Sequence, residues 1–439
     1  YERMLDEGVG DAVELRHQLG VTQLDRLEDA WAAIEQFSAA LQLDVTHQPS
    51  IEALERLMER EDHRAQAAEI LEPVFLQQMA WPKVTACLEA RIAAEADVEE
   101  RKAHLQRLGQ IHEDYLEDLD GALESYARLF REDPRDEGTW ETLARLARVL
   151  EKYDRLAEIY EGALEDITVD DEETAKLAVT AAQIHDQRTG DLEAASRLYA
   201  RALRFEPGDH GVFVALESVL ERREAWDTLL TLYREQAQVA EEEQDRIALL
   251  RKSARLLEGQ LGQPDRAIET YRDILVVDPE DPNAIAALDE LLTAQERWPE
   301  LADHLRHQVE LASGEPDEND LKLKLGETLQ HRLEDVHAAI DVYEEITQDD
   351  PHHTDTVAAL EKLVQQPEHQ LRIIQILEPI YLATDQWRKR IAIYEAQVEA
   401  VDDPYDKVRL LSQIAELHET RSQDMQLAFH AWARAMAVE

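Results

Sequence analysis

Apolar residues recur three and four positions apart along the chain, with polar residues between them, a spacing that predicts helices rather than strands. One such series is Leu143/Leu146, Leu216/Val219, Leu288/Leu291 and Leu360/Leu363. Each pair is followed by an aromatic that opens the next apolar run, at Tyr153, Trp226 and Trp298. A second series places an aromatic four residues after an alanine: Ala33/Phe37, Ala122/Tyr126, Ala195/Tyr199, Ala267/Tyr271, Ala339/Tyr343 and Ala428/Trp432. The steps between these aromatics are 89, 73, 72, 72 and 89 residues. Each 72-residue unit therefore holds four predicted helices, arranged as two hairpins.

The second series brings further columns with it. Seventeen residues before the aromatic stands a small residue, Gly20, Gly109, Ala182, Ala254, Gly326 or Ala415. Three after it comes Ala40, Leu129, Ala202, Ile274, Ile346 or Ala435. Eight after it comes Pro134, Pro207, Pro279 or Pro351, with Val45 in the first unit. Helices that cross closely need small residues at the crossing, and an aromatic four residues from the alanine fills the same face. Proline then ends the hairpin, because it cannot continue a helix.

These columns resemble the tetratricopeptide repeat, a helix-turn-helix of 34 residues with small, Ala, aromatic, small and Pro positions in this order. The interval from small residue to alanine is one residue longer here, which predicts a longer turn between the two helices. The Tyr position of the family's first helix holds Gln23, His112, His185, Leu257, Leu329 and His418. The resemblance is close in this hairpin and looser in the other. It implies an all-α, right-handed superhelical solenoid of the kind built into large bacterial repeat proteins. It also implies binding of protein segments, along a concave face lined by the first helices of the hairpins.

A longer period overlies the short one. Residues 1–133 align without a gap on residues 307–439, with 41 identities in 133 pairs. The two long steps carry an insert with a shared phrase, Ile70-Leu71-Glu72-Pro73 and Ile376-Leu377-Glu378-Pro379. In the second long unit Val357/Leu360/Val364 and Ile374/Leu377/Tyr381 repeat one helical series, so an extra helix is expected near 62–80 and 367–385, with a local change of superhelix direction. The expected units are a partial one at 1–11, then 12–97, 98–171, 172–242, 243–315, 316–403 and a partial one at 404–439. Neither end shows a polar capping helix of the sort that keeps solenoids soluble, so a segment of a longer array is expected.

Charge narrows the choice of partner. The chain has 96 Asp and Glu against 46 Lys and Arg, a formal charge of -50. Such a surface repels phosphate backbones and anionic membranes, which argues against nucleic acid and lipid as partners. No signal peptide and no apolar run of membrane-spanning length is visible, and a cytoplasmic location is favoured. The single cysteine, Cys87, allows no intrachain disulfide and no thiolate metal cluster. There is no phosphate loop and no His-Glu-x-x-His or Gly-x-Ser-x-Gly motif, and acidic runs such as 170–173 lack calcium-loop spacing. No cofactor, metal or catalytic residue is expected.

His112, His185 and His418 share one column and are read as ring packing in place of Tyr, because successive units stand too far apart to share a metal. Trp81, Trp226, Trp298 and Trp387 are read as core. Carried over from the resemblance, positions one and four after the small residue face the groove. They are Val21 and Leu24, Gln110 and Glu113, Gln183 and Asp186, Arg255 and Glu258, Glu327 and Gln330, Glu416 and Glu419. Family members that clamp an acidic peptide terminus use Lys, Arg and Asn there. A mainly acidic stripe suits a basic or amphipathic segment instead. The expected function is a non-enzymatic interaction scaffold. The alternatives are a spacer in a very large repeat protein and a regulatory arm of an enzyme encoded outside this stretch.

Overall fold

The computed structural model describes residues 1–6, 8, 10–167 and 169–438. Glu7, Val9, Thr168 and Glu439, which fall in the expected units 1–11, 98–171 and 404–439, lie outside the described residues. Among the described residues there are 25 α-helices and no strand. Contacts divide the chain into two compact units, Tyr1–Leu232 and Tyr233–Glu439. Within each unit, helices pack mainly on their neighbours in sequence, as expected of an array in which each repeat touches only the next.

The close hairpin is exemplified by Val98–Asp114 and Leu119–Glu132. It forms because Ala122 is fully buried at the crossing and the Tyr126 ring lies against Gly109. A Cβ on Gly109 would stand 2.8 Å from that ring, so the column must be small where the ring approaches it. Phe37, Tyr199, Tyr271 and Tyr343 are buried in the same way. Trp432 departs from the column at 37% exposed.

The additional residue of the turn has a structural counterpart. In four units the turn closes by a backbone bond six residues long, from the N–H of Asp29, Asp118, Asp335 or Asp424 to the carbonyl of Gln23, His112, Leu329 or His418. Gln263 bonds Leu257 in the same way. At His185–Thr189 and His418–Ser422 the end of the helix widens into a π turn, the second of them in a unit that also has the six-residue bond. The following Asp caps the second helix through its carboxylate, as at Asp29, Asp118, Asp191, Asp335 and Asp424. The residue before the cap is left-handed in every unit: Glu28, Glu117, Gly190, Gly262, Glu334 and Gln423. A matching left-handed column, Met79, Glu151, Glu224, Glu296 and Asp385, precedes the last helix of each unit.

The histidine column serves this turn. His112 Nδ1 lies 3.0 Å from Asp118 Oδ2, His185 Nδ1 lies 3.1 Å from Thr189 Oγ1 and His418 Nδ1 lies 3.2 Å from Ser422 Oγ.

The Trp column requires correction. Trp81, Trp226, Trp298 and Trp387 are half-buried rather than core. They sit at helix starts, where one ring face remains open to the turn of the next hairpin. Trp81 stacks on Tyr115 at 3.9 Å, and the Arg332 guanidinium covers Trp298 at 4.6 Å. Arg188 covers Tyr153, the same position in another unit, at 5.0 Å. The buried aromatics of this hairpin stand seven residues later, at Tyr160, Tyr233 and Tyr394.

Helices Arg64–Gln77 and Gln370–Ala383 each contain a proline, Pro73 and Pro379. The two helices share one set of neighbouring contacts and differ in another. Lys83 pairs with Glu55 and Lys389 with Glu361, both at 2.6 Å, while the two lysines lie over the rings of Phe75 and Tyr381. Glu72, 3% exposed, is held by Arg91 and Arg107. Its counterpart Glu378 accepts instead from the Tyr394 hydroxyl.

Candidate functional site

The first helices of successive hairpins leave clefts between them. One, of about 530 Å³, lies between Val98–Asp114 and Glu137–Leu150. Gln106 and Gln110 line one wall, and Asp136, Gly138, Thr139 and Thr142 line the other. Tyr126 and Leu129 close the base. The Asp136 carboxylate caps the facing helix through the Thr139 N–H. Lys102 enters the cleft but is already paired with Asp133 at 2.8 Å and Glu99 at 3.3 Å. The wall therefore offers amides, hydroxyls and carboxylates and no uncommitted cation.

A second cleft, of about 590 Å³, lies between Pro282–Ala294, Trp298–Leu311 and Glu318–His331. Trp298, Leu301 and Leu305 supply an apolar wall, and Thr293 and Thr328 supply hydroxyls. Asp289 and Glu327 face Lys324, His331 and Arg332. This cleft is amphipathic and carries both signs of charge.

The predicted stripe separates into two kinds of position. One residue after the small column, Gln110, Gln183, Arg255, Glu327 and Glu416 are all exposed. Gln110 and Glu327 line the two clefts. Four residues after it, several groups are engaged within the fold. Glu113 receives both nitrogens of the Arg145 fork at 2.6 and 2.8 Å. Asp186 pairs with Arg222, and Gln330 accepts from the Tyr343 hydroxyl at 3.0 Å. Glu258 and Glu419 are exposed, and Val21 and Leu24 are half-buried. The Tyr199 hydroxyl is pushed up to about 12, by burial first and by the neighbouring Asp186 carboxylate second. Burial and Glu258 move Tyr271 in the same direction.

The opposite walls, Thr139, Thr142, Asp289 and Thr293, escaped the sequence reading. They belong to the looser hairpin, where no column singles them out. Among the described residues no group of three or more His, Cys, Asp or Glu side chains is arranged to hold a metal ion. Burial pushes the Cys87 thiol up to about 12, helped by Glu72 and Glu55, so the thiol stays protonated. No helix among the described residues is long and apolar enough to cross a membrane.

Residues 212–247 match the family model of the tetratricopeptide repeat. The matched stretch spans the looser hairpin, His210–Arg222 and Trp226–Val239, and enters Glu243–Gly259. No curated protein matches the chain in sequence. Among solved structures it is similar to YrrB, a TPR protein with an unusual peptide-binding site, at 17% identity over 46% of this chain and 98% of that one, with a TM-score of 0.24. It is also similar to the C-terminal part of a TPR repeat-containing protein from Cytophaga hutchinsonii, at 13% identity over 58% of this chain and 98% of that one, TM-score 0.24. A tetratricopeptide repeat protein from Parabacteroides merdae is 12% identical over 64% of this chain and all of that one, TM-score 0.19. With paired helices and a small residue under the buried rings, the chain is an all-α helical repeat protein, and its residues 212–247 carry the tetratricopeptide pattern.

Proposed function

We propose that the chain is a non-enzymatic scaffold that holds amphipathic, predominantly basic protein segments in the clefts between successive first helices. The carrying observation is the cleft at Gln110, where exposed amides face hydroxyls and carboxylates and its one lysine is already neutralised. Amides and hydroxyls suit a peptide backbone, and the surrounding negative charge suits Lys and Arg side chains. The cleft at Glu327 adds an apolar wall of Trp298, Leu301 and Leu305 for the other face of such a segment.

The test uses the peptide acetyl-(Lys-Leu-Ala-Lys)3-amide, with acetyl-(Glu-Leu-Ala-Glu)3-amide and a short DNA duplex as comparisons. Titration calorimetry at physiological salt is expected to show binding of the basic peptide alone. Gln110→Arg together with Glu327→Arg should weaken it about tenfold or more, since each arginine places a like charge on a wall. Preference for the acidic peptide, or tight binding of the duplex, would overturn the reading.

A further inference from the structure

The two inserted helices create a pair of grooves that lie apart from the clefts just described. In the first unit, Ala30–Leu43 and Arg64–Gln77 enclose about 220 Å³ lined by Leu41, Gln42, Val45, Ile70, Pro73 and Gln77. In the second unit, Val336–Asp349 and Gln370–Ala383 enclose about 410 Å³ lined by Thr347, Gln348, Pro351, Ile376, Pro379 and Ala383. Residue for residue, each of these six is its counterpart shifted by the 306-residue period of the sequence. Three are identical in both grooves: the amide, the isoleucine and the proline. Leu41 to Thr347 and Gln77 to Ala383 shrink, Val74 to Ile380 and Ser38 to Glu344 grow, and the second groove is the larger of the two.

The chemistry of the lining selects an occupant. The floor is aliphatic, with Val74 and Ile380 beside the isoleucines, and Ile376 and Ile380 are both buried. Glutamines stand exposed on the groove edges, Gln42 and Gln77 in one, Gln348 and Gln375 in the other. In each of the two helices one backbone carbonyl lacks its helical donor, and in the second groove it belongs to a lining residue, Gln375. Pro73 and Pro379 have no N–H to offer the carbonyls of Glu69 and Gln375 four residues earlier. Both prolines are exposed. A groove with an aliphatic floor, amide rims and a spare carbonyl matches an extended peptide, which brings alternate side chains and backbone N–H groups together.

Charge points the same way. No cation lines either groove. The one charged lining residue, Glu344, is already neutralised by Arg372 at 2.6 Å, so the free negative charge lies beside the grooves. The equivalent carboxylates Asp44 and Asp350 stand next in sequence to Val45 and Pro351. From Ile70 to Gln77 the wall runs about 10 Å, room for roughly three extended residues.

We infer that these grooves are duplicate binding sites for a short extended segment of a partner protein, aliphatic at its centre and flanked by Lys or Arg. The second groove, being wider, takes the larger side chain and binds more tightly.

The probe is acetyl-Lys-Val-Ile-Val-Lys-amide, titrated into the full chain with 13C-labelled Ile and Val methyl groups. Acetyl-Lys-Ser-Gly-Ser-Lys-amide serves as the equal-charge comparison without aliphatic residues. Shifts at Ile376 and Ile380, and at higher concentration at Ile70 and Val74, are expected with the first peptide alone. Gln348→Arg should abolish the shifts in the second groove and leave those in the first. Pro379→Ala restores an N–H to the Gln375 carbonyl, so it should weaken the second groove about fivefold, the worth of one hydrogen bond, while helix stability rises. Equal response to both peptides would overturn the inference, because the aliphatic floor would then play no part. So would shifts confined to residues around Gln110 and Glu327, an outcome that leaves the scaffold reading standing. Groove shifts that grow with protein concentration in the absence of peptide would also overturn it, because a second copy would then be the occupant.

Discussion

At the scale of the residue, the contact between small residue and ring is the smallest unit of this fold. Gly326 lies so close under the Tyr343 ring that a Cβ there has no room, and the ring is fully buried and cannot swing aside. Gly326→Ala should therefore cost about 1–3 kcal/mol, the usual range for overpacking a filled core. Urea denaturation measures it, and a loss below about 0.5 kcal/mol would contradict the close approach. Ala182 and Ala254 hold the same column beneath Tyr199 and Tyr271, so the pattern of small residues was legible in the sequence. The demand for glycine at 326 was not, because it depends on how near the two helices come. The left-handed turns were hidden for a related reason. Gly190 and Gly262 hint at positive φ, but Glu28, Glu117 and Glu334 hold the same position with a side chain that rarely adopts it. The six-residue backbone bond that closes the turn holds them there.

At the scale of the element, the hairpin is the cooperative piece. Tyr271 is buried between Glu243–Gly259 and Pro264–Val277, so Tyr271→Ala should cost roughly 3–5 kcal/mol. In an array with neighbour-to-neighbour contacts the loss is expected as local opening around 246–300. Hydrogen exchange that keeps full protection there would refute the role given to the ring. His304 makes a second element-scale case. It is half-buried on Trp298–Leu311 with Nε2 3.5 Å from Asp289 on Pro282–Ala294. Burial holds its pKa below the ordinary 6.5, against the smaller opposing pull of Asp289, with Arg272 and His307 adding to the depression. The unfolded chain then binds a proton near pH 6.5 that the folded chain refuses, so His304 favours folding above that pH and ceases to do so as pH falls through it. The stability advantage of wild type over His304→Asn should shrink between pH 7.5 and 5.5. An advantage that grows on acidification would mean that Asp289 dominates. The sequence contains both residues, but their fifteen-residue separation becomes a contact only when the two helices pair.

At the scale of the whole molecule, charge governs the response to salt. Many arginines pair across helices, among them Arg101 with Glu132, Arg155 with Glu124 and Arg128 with Glu89. Even with every Lys and Arg paired to one acid, 50 carboxylates would remain. Exposed pairs contribute about 0–1 kcal/mol each and lose it to salt, whereas the surplus repels itself until salt screens it within about 8–10 Å. Repulsion outweighs the pairs, so thermal stability should rise from low millimolar to physiological salt, and binding of basic peptides should weaken over the same range. A melting temperature that falls with added salt would show that the ion pairs outweigh the surplus.

Periodicity alone determined that the chain is helical, that its helices come in pairs, and which alanines and rings meet at the crossing. It could do so because a helix reports its buried face every three or four residues, and repetition averages out local noise. The sequence also exposed the 306-residue period, and with it the residues that recur in the two grooves. Only the tertiary structure decided what those residues do. It moved the Trp column from the core to half-buried seams, because the cover of a ring at a helix start depends on what its own helix and the next hairpin bring over it. It engaged Glu113 and Asp186 with Arg145 and Arg222, because partners 32 and 36 residues apart belong to no local pattern. It also placed Pro73 and Pro379 on open grooves, since whether a helix is covered depends on the packing of its neighbours and not on its own sequence.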